Sequence, residues 1–493
     1  MLAPPVRSSG SRPRGTTRPA PLLSSCHRPI QSPFLEVALR HGLITLERMG
    51  LSTDLYELTM AQAFLEAGIA DRTSTFDLSV RRLPAERGYL IAAGLEQALA
   101  YLRDFRFWPE ALDYLEQCGH LKPEFVGYLG SLRFTGSVHA VPEGTVYFPP
   151  GPLLRVTAPI IEAQIIETYL LTTMTYQTMI ASKAARVVHA AQGRSGLEFG
   201  TRRVHPDAAI DSARAAYLVG ATGTSNVEAG ARFGIPVRGT AAHMWTMTHD
   251  SEEESFANYV ETFPNASILL IDTYDTVRGA ERAARVAKDK LKGVRLDSGD
   301  MDALSREVRP VLDAAGCESA QIVASGDLNE YKIDAFVRGG APIDAFGVGT
   351  ELVCSKDAPS LGGVYKVVQF ERDGRTVPVA KFAEGKITYP GPHQIHRHVD
   401  AETGHLRGDT LALASEPVPE GATALLQPRL ESGVRIGARL TLEQSRAHAL
   451  SELKRLPERL RGLQQLPKDE AYPVKPSAAL SELLEGVRKM KVG

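Results

Sequence analysis

The chain has 493 residues, 43% hydrophobic and 23% charged, a composition for a globular protein of about two to four domains. Lys and Arg number 56 against 58 Asp and Glu, a formal net charge of -2, which excludes the basic footprint of a nucleic-acid binder or an anionic-membrane surface. No apolar run is long enough to span a bilayer, and Cys26, Cys118, Cys317 and Cys354 lack zinc-like spacing, so free thiols in a reducing cytoplasm are expected.

Residues 1–48 differ from the rest. Arg7, Arg12, Arg14, Arg18 and Arg28 precede the first acid, Glu36, among many Pro and Ser. Such a stretch buries too little apolar surface to fold, so a disordered extension is expected. It reads either as an organellar transit peptide or as sequence upstream of a true start at Met49, and the second is preferred. Residues 49–155 read as an α+β domain. Thr53–Phe64 has a helical stripe with Asp54 as cap. Thr75–Val80 alternates as a strand, Gly88–Leu99 runs from strand into helix, and short strands follow near Gly136–Val141 and Thr145–Phe148. Pro149-Pro-Gly-Pro152 marks a boundary.

Residues 156–390 open with a long helix, Ile161–Val188, and then repeat one unit of short apolar strand, polar loop and helix. Gly223-Thr-Ser-Asn226 reads as a helix start, with Ser225 or Asn226 as cap, and Gly234 stops that helix. Ile235–Val237 reads as a buried strand leading to Gly239, Thr240 and His243. Ser267–Ile271 leads to Asp272 and Asp275, Gly293–Leu296 to Asp297 and Asp300, Gln321–Ala324 to Ser325, Gly326 and Asp327, and Ile343–Phe346 to Gly347, Gly349 and Thr350. This alternation predicts a parallel sheet, and so many units predict an irregular (β/α) barrel.

In such a barrel every loop after a strand opens on one face, which carries the chemistry. The loops collect Asp272, Asp275, Asp297, Asp300 and Asp327 with Arg203 and Arg295. Each Asp alone is also a good helix cap. Together, clustered carboxylates call for compensating cations: arginines, Mg2+, or a diphosphate carried with Mg2+. Ser325-Gly326 and Gly347-Val-Gly-Thr350 could hold a phosphate on backbone N–H groups. His243, just past a strand end, can act as base, ligand or nucleophile, or simply be bonded into its loop. The residues thus describe an α/β-barrel enzyme for a phosphorylated, Mg2+-associated substrate. In residues 391–493, Leu411–Ile436 holds β-like runs expected to complete the N-terminal domain. Leu440–Leu463 reads as an amphipathic helix with Arg455, Arg459 and Arg461 on a solvated face.

The chain resembles nicotinate phosphoribosyltransferases. The matching stretches are Thr53-Asp-Leu-Tyr-Glu-Leu-Thr59, Glu198-Phe-Gly-Thr-Arg-Arg203, Gly223-Thr-Ser-Asn226, Gly239-Thr-Ala-Ala-His243, Leu270-Ile-Asp-Thr-Tyr-Asp-Thr276, Val294-Arg-Leu-Asp-Ser-Gly-Asp300, Ala324-Ser-Gly-Asp-Leu328, Phe346-Gly-Val-Gly-Thr350 and Pro359-Ser-Leu-Gly-Gly-Val-Tyr-Lys366, in the family's order. The resemblance implies condensation of nicotinate with phosphoribosyl diphosphate to nicotinate mononucleotide and diphosphate, with ATP as co-substrate and Mg2+ as cofactor. It implies a phosphohistidine at His243, with Asp297 also catalytic, and nicotinate contacts from Tyr56, Thr240 and Arg295. Thr350, Gly349 and Gly347 match the site of the ribosyl 5-phosphate, and Ser325, Gly326 and Arg203 are assigned to the same donor. Asp272, Asp297 and Asp300 are inferred as Mg2+ or ribose ligands, Asp272 and Asp300 being assigned to the metal. Tyr56 reaches the other subunit's site in the family, so a cytoplasmic homodimer is expected, with no nucleic-acid or membrane partner. Ser79-Val-Arg-Arg-Leu-Pro84 and Lys381-Phe-Ala-Glu-Gly385 follow the pattern loosely.

Three rivals remain open. A nicotinamide phosphoribosyltransferase would prefer the neutral ring, and a quinolinate phosphoribosyltransferase would need no ATP. A non-catalytic sensor of pyridine nucleotides would bind without turnover.

Overall fold

The computed structural model describes residues 46–383 and 386–492. The expected extension up to residue 45, with Cys26, and Glu384-Gly385 of the loosely matching stretch lie outside them. Strand β1 (Thr73–Val80) starts two residues earlier than the alternation predicts, with Phe76, Leu78 and Val80 turned into the core. It pairs on one side with β5 (Pro152–Pro159), followed by β3 (Ser137–Ala140), β17 (Gln427–Glu431) and β18 (Val434–Arg435). On its other side lie β12 (Gly363–Arg372) and β13 (Arg375–Pro378), giving seven strands with every pair antiparallel. Strand β5 runs across residue 155, and β12 and β13 enter this sheet from within the 156–390 segment. A short pair joins β2 (Leu90–Ile91) to β4 (Val146–Tyr147). The strands β14 (His393–Val399), β15 (Leu406–Leu413), β16 (Ala422–Ala424) and β19 (Val474–Pro476) form a separate four-stranded sheet.

The long helix foreseen over 161–188 is two pieces, Ile160–Ile165 and Glu167–Ala190. The second is a spine between two cores. Tyr169, Leu170 and Met174 pack into the core of the seven-stranded sheet, and Met179 through Ala190 into that of the second domain. It is buried along most of its length, and its buried charges are paired, Lys183 and Arg186 both with Glu330.

The second domain carries six parallel strands in the order β7 (Gly223–Thr224), β6 (Ser195–Glu198), β11 (Ala345–Val348), β10 (Gln321–Ala324), β9 (Gly293–Leu296) and β8 (Ile268–Leu270). They form a curled half-barrel covered by helices, the α/β class that the repeats predict. The expected strand Ile235–Val237 is instead a single bridge from Val237 to Thr224. Pro236 has no N–H to give to a ladder, so only its carbonyl pairs, accepting from Thr224 at 3.1 Å. Strand β11 lies two residues beyond the expected Ile343–Phe346.

Candidate active site

Because the six strands are parallel, their C-terminal loops share one side. There a cavity of about 340 Å3 is lined by Phe199 and Arg202 after β6, by Thr240 and His243, and by Arg295 and Asp297 at the end of β9. Arg295 is held at three points. Its Nε donates to Ser325 Oγ at 2.7 Å, one terminal nitrogen to Thr240 Oγ1 at 2.9 Å and the other to Asp297 Oδ1 at 2.6 Å. Its guanidinium lies 5.6 Å from the centre of the Phe199 ring, within cation–π range.

His243 opens a short helix, His243–Met247, rather than sitting in a loop. Its Nδ1 is 3.1 Å from the Thr273 hydroxyl, and its Nε2 is 3.9 Å from both Asp272 Oδ1 and Asp297 Oδ2. The Asp272 side chain is 1% exposed. Its Oδ2 accepts from the Asp297 N–H at 3.0 Å and Ser298 Oγ at 2.5 Å, while Oδ1 is buried without a hydrogen-bond partner. Burial opposes the charge on Asp297, but the Ser325 hydroxyl and the Arg295 guanidinium outweigh it and hold the carboxyl below its usual range.

Not every loop carboxylate points into the cavity. Asp300 is exposed, and its Oδ1 caps Met301–Ala314 by accepting from Asp302 N–H at 3.1 Å and Ala303 N–H at 3.2 Å. Asp275 caps Thr276–Ala287 in the same way, and Asn226 is the cap of Val227–Phe233. Among the described residues no three or more His, Cys, Asp or Glu side chains are grouped to hold a metal ion.

The glycine loops stand directly behind the lining. Gly326 has φ +90°, and a side chain there would meet the Asp297 carbonyl at 2.0 Å, so only glycine lets Ser325 approach Asp297. A side chain at Gly347 would strike the Phe199 ring at 2.4 Å. Gly349 precedes the single turn Thr350–Val353, and the Phe199 N–H donates to Val348 O at 2.9 Å. Arg203 is exposed beyond the lining, whereas its neighbour Arg202 lines the cavity. Tyr56 stands on the helix Leu55–Glu66, 47% exposed and outside this cavity. Partial burial and the carboxylates of Glu167, Glu57 and Asp54 push its hydroxyl up. Sequence reasoning overlooked Phe199, Arg202 and Thr273. Phe199 is the first residue past a strand end inside a quoted motif, which was the signal that could have found it.

A second cavity of about 330 Å3 lies on the seven-stranded sheet, with Arg81, Lys366, Lys381 and Lys386 around the buried Asp77–His393 pair. Arg81 and Lys381 come from the two stretches that follow the family pattern loosely. Among the described residues no helix is long and apolar enough to cross a membrane.

Two family models match the chain: the nicotinate phosphoribosyltransferase N-terminal domain over residues 51–175 and the nicotinate phosphoribosyltransferase family over 195–389. A Mycobacterium tuberculosis H37Rv protein named nicotinate phosphoribosyltransferase pncB2 is 44% identical over 431 residues, spanning 86% of this chain and 90% of its own length. A Bacillus subtilis nicotinate phosphoribosyltransferase is 44% identical over 381 residues, 76% of this chain and 78% of that protein. Among solved structures, human nicotinic acid phosphoribosyltransferase superposes with a TM-score of 0.78 at 28% identity, covering 88% of this chain and 99% of the human one. A Pyrococcus furiosus nicotinate-nucleotide pyrophosphorylase superposes with a TM-score of 0.67 at 26% identity, over 82% and 95% of the two chains. By sequence over most of its length and by fold, this chain belongs to the nicotinate phosphoribosyltransferase family.

Proposed function

We propose that the chain is a nicotinate phosphoribosyltransferase that joins nicotinate to 5-phospho-α-D-ribose 1-diphosphate, coupled to ATP hydrolysis through His243. The observation that carries this reading is the meeting of the Arg295 guanidinium, the His243 imidazole and the Asp297 carboxylate in one cavity, backed by the Ser325-Gly326 and Gly347–Thr350 loops.

The bonds that fix Arg295 leave one N–H free on each terminal nitrogen, a fork suited to the two oxygens of the pyridine carboxylate. The Phe199 ring beneath it offers an apolar face for the pyridine. With the carboxylate held, the ring nitrogen bonds to ribose C1 as the C1–O bond to diphosphate breaks. The pyridinium keeps the positive charge and diphosphate leaves with the electron pair. Ser325, Gly326, Gly347, Gly349 and Thr350 hold the donor's phosphates, and Arg202 with Arg203 adds positive charge there. In the coupled step His243 Nε2 attacks the γ-phosphate of ATP, the N–P bond forming as the Pγ–O bond to ADP breaks, and water later cleaves the N–P bond to release phosphate and restore the imidazole. Thr273 on Nδ1 orients the ring. Mg2+ would sit on the carboxylates of Asp272 and Asp297. The partnerless Asp272 Oδ1 fits that role, since Mg2+ is usually held by one or two carboxylates plus substrate oxygens. Asp300, committed to its helix cap, is a poorer ligand. Leu55, Tyr56 and Met60, all exposed on one helix, supply the apolar face through which a homodimer would place Tyr56 at the partner's cavity. Sedimentation at the mass of a single chain would refute the dimer.

The test supplies nicotinate, phosphoribosyl diphosphate and Mg2+ with and without γ-labelled ATP. Nicotinate mononucleotide should form faster with ATP, and acid-labile label should map to His243. His243→Ala should lose both the label and the ATP stimulation while retaining slow synthesis. Preference for nicotinamide, or quinolinate turnover indifferent to ATP, would replace the assignment.

A further inference from the structure

Glu198, the last residue of β6, is fully buried. A buried carboxylate ordinarily needs a cation, yet among the described residues no Lys, Arg or His forms an ion pair with it. Its charge is met instead by two donors, one in the loop that follows it and one at the end of β7. Oε1 accepts from the Gly200 N–H, and Oε2 accepts from the Thr224 hydroxyl at 2.5 Å. The Glu198 carbonyl accepts a third bond, from Ser225 N–H, at 3.0 Å. Thr224 extends the connection. Its hydroxyl accepts from Asn226 N–H at 3.0 Å, and its backbone pairs with Pro236 O at 3.1 Å and Arg238 N–H at 2.9 Å. One wall of the cavity, Phe199 to Arg202, follows Glu198 directly. The opposite wall, Ser225 and Gly239 to His243, hangs from Thr224 and Arg238.

We infer that Glu198 is a positioning residue: through Gly200 and Thr224 it sets the distance between the Phe199–Arg202 wall and the Thr240–His243 wall. The residue type follows from the donors. A carboxylate accepts at both oxygens, whereas an amide would turn an NH2 toward one of the two donors. Burial raises the Glu198 carboxyl against the hydrogen bonds from Thr224 and Gly200, as expected of an acid held by neutral donors alone. The β6–β7 ladder pairs Glu198 with Thr224, and the second wall also meets the half-barrel through the Thr224–Val237 bridge, the Arg295–Thr240 hydrogen bond and the Thr273 hydroxyl beside His243; the Glu198 carboxylate adds the side-chain tie that joins the two strand ends where the walls begin.

The inference rests on the reaction proposed above and is read on Thr224, which touches no cavity. Thr224→Val removes the hydroxyl at equal volume, Thr224→Ser keeps it, and Thr224→Ala is a second removal should the valine variant not fold. Assayed below its melting transition, a removal variant should raise the KM for nicotinate on the order of tenfold, with kcat and the KM for phosphoribosyl diphosphate changing by less than about threefold. Thr224→Ser should restore the wild-type KM to within about twofold. A folded removal variant with an unmoved nicotinate KM would overturn the inference, as would an equal loss for both substrates. If neither removal variant folds while the serine variant does, the hydroxyl serves the fold alone and the inference also fails. Wild-type protein without turnover would instead sink the reaction, whereas wild-type turnover with indifferent Thr224 variants would sink only the positioning role.

Discussion

At the scale of single residues, Arg295 shows how one strand position gathers several loops. It draws Ser325 from the loop after β10, Thr240 from the segment before His243 and Asp297 from its own loop around one guanidinium. On the proposed reading, Arg295→Ala removes a charge-assisted contact to the pyridine carboxylate, a loss of about 2–3 kcal/mol, so the KM for nicotinate should rise about 30- to 150-fold. Steady-state kinetics checks this, and Arg295→Lys should recover little, because an ammonium lacks the fork. Arg295 was legible in the sequence because it lies near the end of an apolar run that is a strand, and His243 because it follows an apolar run, although that run forms only a single bridge. The aspartates were not separable in the same way. Asp272 and Asp300 occupy similar loop positions, and the fold makes one a buried carboxylate and the other a cap. Arg202 and Arg203 differ by one step in a 3-10 turn, Thr201–Arg203, whose geometry decides which one faces inward.

At the scale of elements, the helix caps separate Asp275 and Asp300 from Asp297, which lines the cavity. Asp300→Asn keeps a good cap and removes the charge. Stability should stay within about 0.5 kcal/mol, and the Mg2+ concentration giving half-maximal rate should not move. A clear shift in that Mg2+ dependence would make Asp300 a metal ligand after all. Strands β9 and β10 fall on the residues that their apolar runs predict. The run at Ile235–Val237 is equally apolar but contains a proline, and one bridge is all that remains. The apolar run marks burial only in part, since Ile235 is buried while Val237 is 47% exposed, and laddering additionally needs N–H groups, which the pattern does not record. The break between Ile165 and Glu167 left no trace in the apolar run either, since both pieces are buried helix.

At the scale of the whole molecule, the buried Glu57 and the half-buried Asp211 set a pH dependence. Burial pushes the Glu57 carboxyl up to about 7 despite hydrogen bonds from Thr53 and Thr168, and pushes Asp211 up to about 7 despite the charge of Arg214. Both values lie above those of the unfolded chain, so the folded state keeps these protons longer. The stability this gives is present at low pH and is lost as pH rises from about 4 to 7. The loss is at most about 3.5 kcal/mol for Glu57, at about 1.4 kcal/mol per pKa unit. Melting curves between pH 4.5 and 8 should show the decline, and Glu57→Gln should flatten part of it. The half-barrel was legible at this scale because each strand–loop–helix unit is local. The composite sheet was only partly so, because its pairs, such as Ser79 with Val364 and Val138 with Leu430, join residues far apart in the chain.

That composite sheet has a cost during synthesis. The outer side of β3 is covered by β17 alone, which the ribosome makes long after Ser137–Ala140 has emerged. Until Gln427–Glu431 is released, the nascent chain displays a bare row of peptide groups on which another copy can dock. Products terminated before that point should therefore accumulate as aggregates, even where the whole half-barrel has already been translated.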